Sequence, residues 1–380
     1  MTATRFDRTL DRLVRPSFTL FGSRWPFYGL FVWLGIIAGI LLALALSFAL
    51  DDRLTSTVIA LVAGLLAAGA LAVGTEVFIG RELYTFYHYQ LAVLAAGGGV
   101  LAVVGSPALP ALDLIGPTLG LVQAFGRLGC FMAGCCHGRP CRWGVRYGPV
   151  HAEHGFEREL VGVRLFPIQA LESLCLFALA SIGAALVLAG APAGTALATY
   201  LVGYAAARFV LELARGDAAR GQAFGFSEAQ WTAAIVMLTT VAAEILGALP
   251  LVSWHVAAAA IVGVVGLAVA SYRRITPAYV LFRPGHVSEI ACALDLLDTT
   301  PPVPGHPPRV ARTSLGFGLS AGDLHHRRKH YALSARDGML NEAAAAKMAS
   351  LIVSLRHASA TSRLLAGGHG VFHVLIDSDR

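Results

Sequence analysis

Residues 27–50 read FYGLFVWLGIIAGILLALALSFAL and contain no charged side chain. A helix of about 20 apolar residues crosses the roughly 30 Å hydrocarbon core of a bilayer, so this stretch is long enough to span a membrane. The apolar core of a signal peptide is shorter, at about 7–15 residues. We therefore expect the stretch to stay in the mature protein as a transmembrane helix.

Similar apolar stretches recur along roughly the first 270 residues. Of all residues, 56% are hydrophobic and only 14% are charged, and the mean hydropathy is +0.66, whereas soluble domains carry about 25% charged residues. The pattern predicts an all-α polytopic membrane protein with seven to eight transmembrane helices, located in the cell (plasma or inner) membrane. The stretches are about 25–50, 56–80, 86–105, 112–132, 168–191, 195–213, 228–249 and 252–271.

The two ends of the chain differ from this apolar middle. Residues 1–24 predict a basic amphipathic segment at the membrane interface, because apolar and arginine side chains fall on opposite helix faces. Residues 277–380 contain the charged run HHRRKH at 325–330, a helical pattern at about 341–357 and a strand-like GVFHVLID at 370–377. They predict a small soluble α+β domain, whose role the sequence does not indicate.

The formal charge of +6 comes almost entirely from arginine, since Lys329 and Lys347 are the only lysines. In a membrane protein this surplus bears on topology and on anionic lipid headgroups. No basic patch with interleaved aromatic residues occurs. We therefore expect the membrane as a partner, and no nucleic acid.

The segment GRLGCFMAGCCHGRP at 126–140 places polar chemistry at the end of an apolar stretch. Ionisable residues inside spans are costly and usually mark functional sites. Arg127 lies here, and Arg208 lies in another span with Glu212 four residues later, a spacing at which the two could simply pair. Two guanidiniums from separate helices at one membrane face would bind a phosphate group bidentately. The segment therefore predicts a lipid-phosphate site.

This segment resembles the signature of the prolipoprotein diacylglyceryl transferases, which runs roughly G-R-[IL]-G-N-F-x-N-G-E-x-x-G. Further pieces are similar to other motifs of that family and occur in the family's order. They are FYGLFVWLG at 27–35, FPIQALES at 166–173, YAAARFVLELARGD at 204–217 and FGFSEAQW at 224–231. The resemblance covers about residues 24–250, so it implies a transferase-like transmembrane domain at 25–272.

The resemblance implies transfer of the diacylglyceryl group of phosphatidylglycerol, or a similar anionic phospholipid, to the thiol of a prolipoprotein cysteine, with release of glycerol phosphate. It implies Arg127 and Arg208 as catalytic, which agrees with guanidiniums stabilising the charge on a departing phosphate. The acceptor thiol needs a base, and His88 is the candidate. The motifs imply as substrate-binding residues Tyr28, Gly126, Gly129, Cys130, Cys135, Gly138, Gln169, Glu172, Glu212, Arg215, Ser227 and Gln230.

Two cysteines depart from the family signature, because Cys130 replaces an asparagine and Cys135 replaces a glutamate. With Cys136, His137 and Cys141 they could hold a metal ion, cycle as a disulfide or fill a lipid-site loop. The spacing C-x4-C-C-H-x3-C is not a standard zinc or cluster pattern, and adjacent cysteines do not easily share one tetrahedral ion. We expect the lipid-site loop, with neither a metal ion nor a cofactor.

The distribution of arginine conflicts with the orientation that the resemblance implies. The positive-inside rule places both termini and the 139–164 loop in the cytoplasm, whereas a lipoprotein-modifying enzyme acts at the secretory face. One alternative is therefore a related phospholipid-dependent transferase with a different, cytoplasmic acceptor. Another is a non-catalytic lipid-binding membrane protein, in which the lost asparagine and glutamate mark decayed catalysis.

Overall fold

The computed structural model describes residues 4–50, 53–80, 86–217, 221–300, 308–324, 328–336, 339–357 and 360–377. Its middle is a bundle of α-helices, and the short helices α1 (Arg5–Leu13) and α6 (Pro149–Ala152) lie outside that bundle. The bundle helices are α2 (Phe27–Ala49), α3 (Leu54–Ile79), α4 (Phe86–Val103), α5 (Ala108–Ala133), α7 (Ile168–Leu188), α8 (Thr195–Leu211), α9 (Glu228–Ile245) and α10 (Ser253–Ile275).

Every bundle helix overlaps an apolar stretch that the sequence predicts to be a span. Among the described residues, six of these helices are long and apolar enough to cross a membrane. Helix α4 is apolar but shorter, and α9 carries Glu228 and Glu244, so neither belongs to the six. The multi-pass helical fold is therefore confirmed. Length and composition support six spans, where the sequence predicted seven to eight.

Helix α5 lies at the centre of the bundle, where it packs against α2, α4, α7 and α8. Glycines let α2 approach it closely: a Cβ on Gly35 would stand 2.8 Å from Phe125 Cβ, and one on Gly39 would stand 2.6 Å from Val122 Cγ2. Small residues are typical of such contacts, because helices in lipid associate through close packing rather than the hydrophobic effect. This packing fixes the carboxyl end of α5.

Asp113 is a buried carboxylate near the amino end of α5. It accepts hydrogen bonds from the backbone N–H groups of Gly194, at 2.6 Å, and Leu197, at 2.8 Å. The first N–H groups of a helix have no partner within the helix, so a carboxylate satisfies them well. Asp113 therefore joins α5 to the start of α8, at the opposite end of α5 from Arg127.

Short strands lie outside the bundle between its helices. The hairpin β1–β2 precedes α2, the pair β3–β4 lies between α5 and α7, and the pair β5–β6 precedes α9. The bounds are β1 (Ser17–Leu20), β2 (Ser23–Pro26), β3 (Pro140–Arg146), β4 (Arg164–Leu165), β5 (Gln222–Ala223) and β6 (Phe226–Ser227).

Within the predicted interfacial segment 1–24, the structure places α1 followed by the β1–β2 hairpin. Acidic residues tie α1 to the β3 strand: Asp7 accepts from Gly144 N–H at 2.9 Å, and Asp11 accepts from Arg146 N–H at 2.8 Å. The arginines of α1 are exposed. An interfacial role for the whole segment therefore stays a prediction.

The residues after α10 form an α+β region, as the sequence predicted. An antiparallel sheet in the order β10–β11–β9–β8–β7 packs with two helices. The elements are α11 (Pro284–Thr299), β7 (Val310–Arg312), β8 (Gly318–Leu324), β9 (Arg328–Ser334), α12 (Glu342–Arg356), β10 (Thr361–Ala366) and β11 (Phe372–Asp377). The part of the charged run at 325–327 lies outside the described residues.

The α+β region docks on the loop between α5 and α7. Tyr147 of that loop and Leu281 and Ile290 of the α+β region belong to one buried hydrophobic cluster. Ser288 Oγ also donates to Glu159 Oε1 at 2.6 Å. The region therefore sits at the end of the bundle where α5 and α8 finish.

Candidate active site

Three arginines converge on one carboxylate at this end of the bundle. Glu172 lies near the start of α7, and its Oε2 atom is 3.0 Å from Arg127 Nε and 3.5 Å from Arg208 Nη1. Arg215 Nη1 lies 4.0 Å from the same oxygen. Arg127 comes from the end of α5 and Arg208 from the last turn of α8, so distant parts of the sequence meet here. We call these four residues the arginine cluster.

Two further carboxylates balance the charge of the arginine cluster. Glu212 Oε2 is 2.9 Å from Arg208 Nη2, and Asp217 accepts hydrogen bonds from Arg215 at 2.8 and 3.1 Å. With Glu172, three carboxylates face the three guanidiniums. Burying such charges costs several kcal/mol per ion, which pairing offsets only in part. In a membrane protein a buried cluster of this kind points to function rather than to stability.

Several polar atoms of the arginine cluster have no hydrogen-bond partner within the described structure. They are Arg208 Nη1, Arg215 Nη1 and Glu172 Oε2, all of them buried. Separations of 3.5 and 4.0 Å are too long for good N–H···O hydrogen bonds. Since buried donors normally have acceptors, each unpaired guanidinium N–H marks a place for one. Phosphate oxygens would fill that place well.

A chain of polar side chains supports Glu172 from inside the bundle. Gln90 Nε2 donates to Gln123 Oε1 at 2.7 Å, Gln123 Nε2 donates to the Tyr204 hydroxyl, and that hydroxyl donates to Glu172 Oε1 at 2.9 Å. Gln90, Gln123 and Tyr204 were not predicted from the sequence. The amide side chains of Gln90 and Gln123 inside apolar stretches could have indicated this network, because buried polar groups in a membrane need hydrogen-bond partners.

Close packing accounts for two of the signature glycines, Gly129 and Gly138, in this structure. A Cβ on Gly129 would stand 3.1 Å from the Tyr28 carbonyl oxygen, and one on Gly138 would overlap the carbonyl oxygen of Phe166. Gly126 is buried within α5. The start of α2, with Tyr28, therefore lies directly against the end of α5.

The signature segment leaves α5 through an unusual backbone conformation. Gly134 ends the helix with a φ of +85°, and Cys136 has a φ of +57°, which non-glycine residues rarely adopt. Gly216 N–H then donates to the His137 carbonyl oxygen at 2.9 Å. This contact holds the segment beside Arg215.

Three cysteines of the signature segment come together. The sulfur atoms of Cys130, Cys135 and Cys136 lie within 4.8 Å of one another. The adjacent residues Cys135 and Cys136 therefore place both sulfur atoms in one group, although the sequence indicates that neighbouring cysteines do not easily share one metal ion. Cys141 is not a member of this group. Three ligands are fewer than the four of a structural zinc site. Gln169 Nε2 donates to the Cys135 carbonyl oxygen at 2.9 Å, which fixes the loop to α7.

His137, the fourth possible ligand in the segment, is engaged elsewhere. Its Nδ1 donates to the Gly138 carbonyl oxygen at 2.9 Å, and its Nε2 lies 3.7 Å from Glu157. Burial lowers the pKa of His137, but the contacts with Glu157 and the Gly138 carbonyl raise it more, so the net pKa is above its usual value. Both ring nitrogens are therefore directed at other partners, Nδ1 at the Gly138 carbonyl oxygen and Nε2 towards Glu157.

His88, Ser227 and Gln230 lie around the start of α9. His88 Nε2 is 3.5 Å from Glu228 Oε1. Ser227 Oγ accepts from Gln230 N–H at 3.3 Å and Gln230 Oε1 accepts from Ser227 N–H at 3.1 Å, so these two residues cap the helix reciprocally. Gln230 Nε2 also donates to the Phe209 carbonyl oxygen at 3.2 Å. These bonds give Ser227 and Gln230 a structural role at the rim of the site.

A cavity of about 450 Å³ opens beside the arginine cluster, a volume typical of ligand sites. Glu212, Arg215, Ser227 and Gln230 line one side of it. The sequence analysis did not predict the other lining residues, which include Arg139, Arg273, Tyr279, Arg283, His286 and Glu289. Their signal in the sequence is arginine: Arg139 lies in the signature segment, and Arg273 and Arg283 lie around the end of α10.

Much of the chain is similar in sequence to known proteins. The sequence model described as prolipoprotein diacylglyceryl transferase matches residues 17–246. A phosphatidylglycerol–prolipoprotein diacylglyceryl transferase of Clostridium tetani is 27% identical over 217 residues, covering 53% of this chain and 84% of the relative. A second relative, from Clostridium perfringens, is named phosphatidylglycerol–prolipoprotein diacylglyceryl transferase 2. It is 28% identical over 237 residues, which cover 58% of this chain and 90% of the relative. The chain therefore belongs to the prolipoprotein diacylglyceryl transferase family.

Proposed function

We propose that this protein transfers the diacylglyceryl group of phosphatidylglycerol to the cysteine thiol of a prolipoprotein. The observation that carries the proposal is the meeting of Arg127 and Arg208, from separate helices, with Arg208 Nη1 left without a hydrogen-bond partner in the described structure. The names of the two relatives support the same substrates.

The geometry suits departure of a phosphate. In the proposed reaction the bond between the glyceryl carbon and the phosphate oxygen breaks, and a bond from that carbon to the acceptor sulfur forms. Arg127 and Arg208 stabilise the charge that develops on the departing glycerol phosphate. The acceptor thiol loses its proton, because the thiolate is the nucleophile. His88 is the proposed base, and its contact with Glu228 would orient the ring.

We further propose that α4 and α9 complete a bundle of eight spans in the cell membrane. An even number of spans returns the chain to its starting side. That arrangement puts α1, the arginine cluster and the α+β region on one face, in keeping with the packing of both ends against the loop between α5 and α7.

The proposed activity is tested in cells depleted of their own transferase. Expression of the chain is expected to restore diacylglyceryl modification of a reporter lipoprotein, read as a mass increase of the mature protein. Arg127→Gln and Arg208→Gln are expected to abolish it, whereas the control Arg309→Gln, an exposed arginine of the α+β region, retains it. Modification by both site variants at the wild-type level would refute the proposal.

A second function, with a cytoplasmic acceptor, is favoured by the charge distribution. At the far end of the bundle, the loops 104–107, 189–194 and 246–252 contain no lysine or arginine, and the connection between α2 and α3 contains only Arg53. The arginines of α1 and of the loop at 139–164 lie at the end that carries the site. The positive-inside rule would put that end in the cytoplasm.

Reporter fusions to the carboxyl terminus decide between the two functions, because the α+β region docks at the same end as the site. An active alkaline phosphatase fusion is expected for the lipoprotein transferase. A fluorescent protein fusion that is bright, with an inactive phosphatase fusion, would favour the cytoplasmic acceptor. Binding of phosphatidylglycerol without turnover would favour a lipid-binding protein that has lost catalysis.

A further inference from the structure

The cavity beside the arginine cluster is built from two parts of the chain. One wall belongs to the part that matches the family and includes Glu212 and Arg215. The other wall includes Arg273 at the end of α10, together with Tyr279 and Arg283 just before α11. These three residues lie beyond position 246, where the family match ends. Arg139, from the signature segment, completes the lining, and we call this space the arginine cavity.

The arginines that line the far side of the arginine cavity lack carboxylate partners. Within the described structure, Arg139, Arg273 and Arg283 make no ion pair; Arg139 Nε donates to the Arg215 carbonyl oxygen at 3.2 Å, and Arg273 Nη1 donates to the Gly225 carbonyl oxygen. A carbonyl fixes the direction of a guanidinium but does not neutralise its charge. The positive charge of these side chains therefore remains available to a ligand.

Two of these guanidiniums, those of Arg273 and Arg283, lie near the aromatic ring of Tyr279. The centre of its ring lies 4.7 Å from Arg273 Cζ and 5.9 Å from Arg283 Cζ, within the range of cation–π contacts. Two like charges at one ring repel each other, and an anion near both guanidiniums would relieve that repulsion. The arrangement therefore suits an anionic ligand.

Arg215 connects the arginine cavity to the arginine cluster. Its side chain is almost fully buried, with 3% exposed, its Nη1 has no hydrogen-bond partner in the described structure, and it lines the cavity. The three guanidiniums of the arginine cluster are matched by three carboxylates, Glu172 within it and Glu212 and Asp217 beside it. The arginine cavity adds Arg139, Arg273 and Arg283 against one further carboxylate, Glu289, so the surplus of positive charge lies there.

We propose that the arginine cavity is a second phosphate subsite, held half by the family region and half by α10 and the start of the α+β region. It takes the phosphate of a glycerol phosphate, either as the polar headgroup of the bound lipid or as the free leaving product. This inference rests on the proposed function for the identity of the ligand. It gives the residues after 246 a direct role in substrate binding or product release.

The subsite is tested by calorimetric titration of the purified protein, in nonionic detergent, with sn-glycerol 1-phosphate, which is the headgroup that the proposed reaction releases, and with inorganic phosphate. The wild type is expected to bind, and the double variant R273Q/R283Q to bind about tenfold more weakly or worse, since each guanidinium–phosphate contact is a charge-assisted hydrogen bond. The matched control R309Q/R363Q removes two exposed arginines of the α+β region and is expected to bind as the wild type does. The variant R273K/R283K keeps the charges and is expected to recover part of the affinity.

Equal binding of glycerol phosphate by the wild type and R273Q/R283Q, or no binding by the wild type, would overturn the subsite. A second arm measures retention of phosphatidylglycerol over phosphatidylcholine in nanodiscs. Loss of both ligands in R273Q/R283Q assigns the subsite to the lipid headgroup, and loss of glycerol phosphate alone assigns it to the product. Because neither arm contains an acceptor, the subsite can fail while the transfer activity stands, and the reverse.

Discussion

Glu172 holds the arginine cluster together, because Arg127, Arg208 and Arg215 all approach its Oε2 atom. The carboxylate is fully buried, and its other oxygen accepts from Tyr204. Removing one member of a buried ion cluster leaves the remaining charges uncompensated, which costs about 3–5 kcal/mol. At the scale of single residues, Glu172 is therefore as important for the arginine cluster as any one of its three arginines.

We expect Glu172→Gln to lower the thermal melting temperature of the detergent-solubilised protein by several degrees. The control is Glu228→Gln, which removes an exposed carboxylate at the start of α9. It is expected to change the melting temperature little, because exposed ion pairs contribute at most about 1 kcal/mol. Equal melting temperatures for Glu172→Gln and the wild type would show that the shared carboxylate is not holding the cluster.

At this scale the sequence predicted that Arg127 and Arg208 would lie at one membrane face, but it could not predict their shared contact with Glu172. Nor did it indicate the role of Gln123, which accepts from Gln90 and donates to Tyr204. Those partners lie 33 and 81 residues away in the chain. Spacing rules describe neighbours on one helix, and only the packing of helices fixes such distant pairs.

At the scale of elements, the carboxylates of α1 bind it to the strands β3 and β4. Asp7 accepts from Gly144 N–H and also lies 3.5 Å from Arg164 Nη1. Burial raises the pKa of Asp7, but hydrogen bonds from Gly144 and Thr4 and the charge of Arg164 lower it more, so the net pKa is below its usual value. The folded protein therefore favours the ionised carboxylate.

This lowered pKa gives a pH-dependent stability. A carboxyl group whose pKa falls on folding stabilises the protein above its unfolded pKa, about 3.9, and this contribution disappears as the pH falls through the folded pKa. We expect Asp7→Asn to melt below the wild type at pH 6 and the difference to shrink towards pH 3. A difference that stays constant across this range would contradict the assignment.

The bundle helices are the elements that the sequence predicted best, because each is a long apolar stretch bounded by turns. The β1–β2 hairpin was missed, since Ser17–Leu20 and Ser23–Pro26 are short and follow an amphipathic pattern that reads as helix. The number of spans differs for two physical reasons: α4 is shorter than the six spanning helices, and α9 carries Glu228 and Glu244 at its two ends.

At the scale of the whole molecule, the α+β region and the loop between α5 and α7 share a hydrophobic core. Leu281 and Leu294 are fully buried in it together with Val145 and Leu165 of the loop. The sequence predicted the α+β region from its change in composition, but the docking depends on contacts across more than a hundred residues. No local pattern could have predicted that this region would reach the candidate site.

Because the core is shared, we expect a substitution in the α+β region to destabilise the entire protein. Leu281→Ala is expected to cost about 2–5 kcal/mol through the cavity that it leaves and to shift a single melting transition. The control Leu296→Ala removes a half-exposed side chain of α11 and is expected to have a smaller effect. Two separate transitions, with only the first shifted by Leu281→Ala, would show that the α+β region folds independently.

The central claim is that Arg127 and Arg208 together stabilise a departing phosphate. The most direct measurement is the rate at which the purified protein transfers labelled diacylglyceryl from phosphatidylglycerol to a lipobox peptide. We expect Arg127→Gln and Arg208→Gln each to lower kcat by about 10²–10³, as loss of a donor to a developing oxyanion does, and Arg208→Lys to recover part of the rate. Wild-type rates in both glutamine variants would contradict the account.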